Sequence, residues 1–142
     1  MVFVSLTRLR LRSFRLLPVF VIHMLRSLRQ VKKAKGFQHG ALLADRRWTF
    51  WTMTAWDTQE SMRQYMTAGE HKAAMPHLLH WCDEASVAHW NQAETTLPSW
   101  VEADKRMRED GRVSKVLYPS PRQATLSFDT PRTKGAVTIR RS

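Results

Sequence analysis

The sequence predicts an α+β domain of order β-α-β-β-α-β, the ferredoxin-like arrangement: a four-stranded antiparallel sheet, here with an added C-terminal helix. Three observations carry that reading. Residues 48–56, WTFWTMTAW, put large side chains at both parities of an extended run, with Trp48, Phe50 and Trp56 on one face and Trp51 and Met53 on the other. A strand with one wet face alternates apolar with polar, so this strand is expected to be covered on both sides. Leu17, Val21, Met24, Leu28 and Val31 recur at spacings of four and three, one apolar stripe of a helix. Ser99 with Glu102 forms a capping box for a short late helix, Trp100 to Asp110, which Gly111 ends.

Each element has its own signals. Met1 to about Leu11 reads as the first strand, with Val2, Val4 and Leu6 at one parity and Phe3, Leu9 and Leu11 at the other. In the first helix Pro18 suits the first turn, where a missing N–H costs nothing. Lys32, Lys33 and Lys35 crowd its end, where the helix dipole favours cations, and Gly36 follows as a left-handed stop. Phe37 to Ala44 is a second strand, Asp45-Arg46 a tight turn, and Arg47 to Ala55 the third strand. Asp57 is the expected N-cap of the next helix, with Glu60 three residues on. Met62, Tyr65 and Met66 make its apolar face; Gly69 breaks it, and a further helical piece covers roughly residues 72–83. Ala85 to Gln92 is the fourth strand. Helices cover one face of such a sheet, so doubly apolar strands call for a second cover. A second copy of the sheet is the simplest one, and a two-fold homodimer is expected.

One hydrophobic residue in little over two, 43%, and six tryptophans argue for a folded chain rather than a disordered one. The domain is read as residues 1–118. Residues 119–142, rich in Pro, Ser, Thr, Arg and Lys, are read as a disordered basic tail. The formal net charge of +11 is uneven: +10 over residues 1–47, −4 over 48–97 and +5 over 98–142. Basic ends are either solvated surface or a contact for anions, and any nucleic-acid binding through them is expected to be weak, non-specific and salt-sensitive. The single cysteine, Cys82, excludes an internal disulfide, and a cytoplasmic setting is the expectation. Arg8 to Arg15 followed by LLPVFVIHML imitates a signal peptide, but no small-residue cleavage site follows. The apolar run also falls well short of the roughly 20 residues a membrane helix needs, so no membrane partner is expected.

The stretch FWTMTAWDTQESMRQYMTAGEHKAAM resembles proteins of the dimeric α+β barrel superfamily, the group of the antibiotic-biosynthesis-type monooxygenases. The likeness lies in Trp56-Asp57 closing the strand, Met62 and Tyr65 on the helix, and Gly69 and His71 at its end. Over residues 2–118 the chain is similar to an uncharacterised bacterial family within or near that superfamily, through VSLTRLRLRS, Gly36, the FWT run, the His71 stretch and LPSW…G…SKV. The resemblance implies the dimeric barrel fold. It spans quinol and polyketide oxygenases, haem-handling enzymes, isomerases and non-catalytic proteins, so it does not choose an activity.

His71 matches the family's helix-end histidine. That match implies a base near neutral pH or a haem ligand; the alternative is a residue that caps the helix end. The cofactor is accordingly none or haem. His71, His77 and His80 do not make a metal site, since His77 and His80 lie about 60° apart on a helix and His71 points away from His80. His39, Trp48, Trp51, Met53, Tyr65, His89 and Asn91 are the candidate lining of a substrate pocket between sheet and helices; the aromatic strand residues are otherwise simple core. Arg8, Arg10 and Arg12 share one face of an extended strand. Either the strand ends near Leu9, the favoured reading, or an arginine is held by an acid or an anionic ligand. No catalytic triad, phosphate loop, dinucleotide fingerprint or redox cysteine pair is present. Three readings follow: a monooxygenase-like enzyme acting on an apolar, aromatic or polyene molecule; a non-catalytic dimeric module binding such a molecule or haem; and a binder of nucleic acid or anionic surfaces.

Overall fold

A computed structural model of the chain describes residues 1–134 and 136–141, apart from the side chains of Glu70 and His71. The elements are β1 (Val2–Leu11), α1 (Leu17–Lys32), β2 (Phe37–Asp45), β3 (Thr49–Trp56), α2 (Gln59–Met66), α3 (Gly69–Trp81), β4 (Cys82–Gln92), α4 (Trp100–Asp110), β5 (Arg112–Val113) and β6 (Ala136–Arg140). The β-α-β-β-α-β order holds, with the second helical region split into α2 and α3. The sheet has six strands in the order β5-β4-β1-β3-β2-β6, not the expected four. The two additions are short edge strands, β5 on β4 and β6 on β2, which occupy backbone groups that a four-stranded sheet would leave open.

Local chemistry sets the boundaries. Gly36 takes φ 86° after α1, and a Cβ there would collide with the side chains of Asp57 and Ser61. The N-cap of α2 is Thr58 rather than Asp57: the Thr58 hydroxyl accepts from Ser61 N at 3.1 Å. Ser99 caps α4 as expected, accepting from Glu102 N at 3.2 Å. β1 does not end at Leu9. It runs to Leu11, because Arg8 and Arg10 both donate to Glu84 on the neighbouring strand, at 2.7 and 2.8 Å.

Strand parity divides the side chains between two cores. Phe3, Phe37 and Trp56 meet Val31 of α1 and Met62 of α2 on one face. Val4, Leu6, Trp51, Met53, Ala88 and Trp90 form the core of the other face. Both faces of β3 are thus covered, but the second cover comes from the same chain. Ala103 and Met107 of α4 lie on it, with Trp100, Leu126 and Phe128. The open face that motivated a second copy is therefore filled internally.

Residues 119–142, expected to be a disordered tail, include several built contacts among the described residues. Gln123 mimics a strand on β4's edge: its Oε1 accepts from Ala85 N at 3.0 Å and its Nε2 donates to Ala85 O at 3.1 Å. Arg46 donates to Thr130 O at 2.9 Å, and Asp45 accepts from Arg132 N at the same distance. Composition alone reads such a segment as disordered because its few anchors, Gln123, Leu126, Phe128 and Ile139, are spread through polar sequence. No helix among the described residues is long and apolar enough to cross a membrane.

Candidate functional site

A cavity of about 330 Å³ lies between the sheet and the helices α1, α2 and α3. Its origin is a change of side-chain size along the strands. At the ends of this sheet face stand Phe3, Phe50 and Trp56, with Trp81 at the end of α3 closing one side. In the middle stand Ser5 and Thr7 of β1, Thr52 and Thr54 of β3, and Ala85 and Val87 of β4. The helices therefore rest on a bulky rim and span a floor of short side chains. The register brings the floor hydroxyls together, with Ser5 opposite Thr54 and Thr7 opposite Thr52. One of them is engaged, since Thr54 Oγ1 accepts from Trp56 Nε1 at 2.9 Å. The roof is apolar, with Phe20, Met24 and Leu28 from α1, Met62 and Met66 from α2, and Leu78 from α3. Ser114 and Lys115 stand on the wall beside β4.

Two polar groups reach the cavity from the helices. His23 of α1 lines it, and its buried Nδ1 has no hydrogen-bond partner. The ring is held by aromatic contacts, 5.1 Å from Trp81 and 5.9 Å from His77. Tyr65 of α2 donates its hydroxyl to Ser27 O at 3.2 Å, and burial raises its pKa well above the ordinary phenol value. A mostly carbon-lined space with a few placed polar groups is the usual composition of a small-molecule site. Among the described residues no three His, Cys, Asp or Glu side chains gather as metal ligands. Cys82 is no nucleophile here: burial, with Asp83 beside it, pushes its thiol up to about 12.

Of the residues proposed from the sequence, Tyr65 lines this cavity. Trp51 and Met53 are fully buried in the core of the opposite face, where Trp51 meets Phe128 edge-on at 5.4 Å. Trp48 is outside β3, in the hairpin turn, 45% exposed and 6.2 Å from Phe14. His39 is half-buried on β2, paired with Ala55 and Arg140. His89 faces the helix side and packs on Phe3 at 5.3 Å; burial lowers its pKa, as do Arg112 and Arg63. Asn91 is exposed. His71 belongs to the first turn of α3, and its side chain lies outside the described residues. Sequence reasoning missed His23 and the floor hydroxyls. The signal was a pair of small-residue repeats, Ser5/Thr7 and Thr52/Thr54, on strands that a register had still to place side by side.

No protein-family model matches the chain, and no curated protein matches it in sequence. Solved structures do match its fold. A putative antibiotic biosynthesis monooxygenase from Nitrosomonas europaea superposes with a TM-score of 0.57 at 12% identity, covering 68% of this chain and 94% of its own. SnoaB, a cofactor-independent oxygenase from Streptomyces nogalater, gives 0.54 at 13% identity, covering 69% and 98%. Rv0793 from Mycobacterium tuberculosis gives 0.61 at 5% identity, covering 68% and 100%. Each is nearly complete within this chain and leaves close to a third of it uncovered, about the length of the segment that follows β4. The chain shares the fold of antibiotic-biosynthesis-monooxygenase-like proteins.

Proposed function

We propose that this protein is monooxygenase-like and holds an apolar aromatic or polyene molecule in the cavity between its sheet and helices. The observation that supports this most is the cavity itself: an apolar roof over a floor of paired hydroxyls, with an unpartnered imidazole nitrogen at its wall. The fold shared with a cofactor-independent oxygenase is consistent with it. In this reading the roof residues supply affinity, and the hydroxyls of Ser5, Thr7 and Thr52 orient oxygen substituents on the ligand. His23 is the group placed to take a proton from a bound phenol or enol. The role proposed for His71, as base or haem ligand, is an alternative within the same reading.

Two measurements on the purified protein test the chemistry. Oxygen uptake with a hydroxylated polycyclic aromatic is expected, and His23→Ala should lower kcat by about 100-fold or more while the ligand still binds. A rate unchanged in His23→Ala but lost in His71→Ala would move the base to His71. Binding without any oxygen uptake would leave the non-catalytic module, and a Soret band in the absorption spectrum would make the ligand haem.

A further inference from the structure

The opposite face of the sheet carries a second cleft, of about 180 Å³, with a different chemistry. Its lining contains five arginines: Arg8 and Arg10 of β1, Arg46 and Arg47 of the β2–β3 turn, and Arg122 of the C-terminal segment. Three carboxylates, Asp45, Glu84 and Asp129, share it. Even with Asp83, which lies 3.6 Å from Arg10 Nε, the arginines are in excess.

The hydrogen bonds of the cleft sharpen the imbalance. The acids are largely used up. Glu84 accepts from Arg8 through Oε1, and from Arg10 and Ser120 through Oε2. Asp45 accepts from Arg46 N and Arg132 N through one oxygen, and from Trp51 Nε1 through the other. Each guanidinium brings five N–H donors and no acceptor. Arg46 spends one nitrogen on Thr130 O and Arg122 one on Asp129 Oδ1, while the Arg47 side chain makes no hydrogen bond among the described residues. At the base of the cleft Arg8 is only 7% exposed, and its Nε has no hydrogen-bond partner; Arg10 Nε makes no hydrogen bond either, though Asp83 forms an ion pair with it. Guanidinium donors converge here in excess of the carboxylates that face them.

The backbone adds an independent observation. Arg47 and Trp48 have φ of 56° and 61°, the left-handed region that side chains of this size avoid. Positions with positive φ in such a hairpin loop ordinarily take Gly or Asn. Here the strained positions hold a cation at the cleft and a tryptophan beside it, and strain of this sort concentrates at functional sites.

We propose that this cleft binds a small multivalent oxyanion, a phosphate ester or a polycarboxylate, with Arg46, Arg47 and Arg122 gripping it at the rim and Arg8 fixing the base. Both ligand types offer oxygen pairs that match the guanidinium fork. The site is distinct from the apolar cavity, because the sheet lies between them. It also needs the segment after β4, which supplies Arg122, Asp129 and Thr130.

Calorimetric titration with pyrophosphate and with citrate, at ionic strength held constant with chloride, tests it. Saturable binding of one anion per chain is expected for at least one of the two, and the one that binds identifies the class. Arg47→Gln and Arg122→Gln should each weaken it by about tenfold or more, with melting in chloride unchanged for Arg47→Gln. Thr52→Phe, on the other face, should leave it intact. The proposal is overturned if neither anion gives saturable heat. It is equally overturned if both arginine variants bind as the parent does, or if affinity tracks ionic strength alone.

Discussion

Glu84→Gln is expected to destabilise the protein by about 3–5 kcal/mol, because it strips a buried cation of its counter-charge. The Glu84 side chain is 3% exposed and that of Arg8 9%. The pair sits over Phe128, whose ring centre is 4.5 Å from the Arg8 guanidinium carbon. With Gln in place, Arg8 and Arg10 both lose an anionic acceptor; Arg10 is partly exposed and keeps Asp83 beside it, but Arg8 cannot reach water without disturbing the core. Replacing Arg8 and Glu84 together by Met should recover most of the loss, since an apolar pair leaves no buried charge behind. Burial alone would raise the Glu84 pKa, but hydrogen bonds from Arg8 and Ser120 and the charges of Arg8 and Arg10 outweigh it and hold it below its ordinary 4.5. A depressed carboxylate contributes stability above its unfolded pKa and loses it as pH falls through the folded value. Denaturant unfolding should therefore show parental stability declining below about pH 4.5. The Glu84→Gln variant should lack that component.

Phe128→Ala should cost about 3–5 kcal/mol, the usual range for deleting a buried phenylalanine ring. Phe128 is 4% exposed although it lies in a segment of polar composition. It packs edge-on against Trp51 and lies under the guanidinium of Arg108, 4.1 Å from its ring centre. An effect below about 1 kcal/mol, read from urea unfolding, would mean that the segment does not cover the sheet in solution.

The elements were legible because their signals are local. The stripe from Leu17 to Val31, the Ser99 cap and the two-faced run Phe50 to Trp56 each declare themselves within one turn or one strand. What covers each face was not legible. Trp51 and Met53 announce burial, but nothing in their neighbourhood distinguishes a second copy of the sheet from α4 and Phe128 of the same chain. The arginines of β1 misled for a related reason. Arg8 and Arg10 in a strand look untenable until β4, more than seventy residues later, supplies Glu84 opposite Arg10. Trp48 was read into β3 because aromatic residues favour strands, whereas its φ of 61° places it in the turn. The cavity was the least visible feature. It depends on small side chains falling opposite one another in register, and on helices held off the sheet by Trp56 and Phe50 of the sheet and by Trp81 of α3.

That cavity is the proposed ligand site. Trp56 and Trp81 both line it, so energy transfer from tryptophan to 1-aminoanthracene, an apolar fluorescent tricycle, reports directly on occupation. Thr52→Phe places a ring on the cavity floor at the centre of β3, where a larger apolar side chain suits the strand. The parent protein should give saturable transfer with one probe per chain. Thr52→Phe, with circular dichroism and melting unchanged or higher, should weaken binding at least about tenfold, the equivalent of 1.4 kcal/mol. An equal Kd in the folded variant would contradict the assignment and place the ligand site elsewhere.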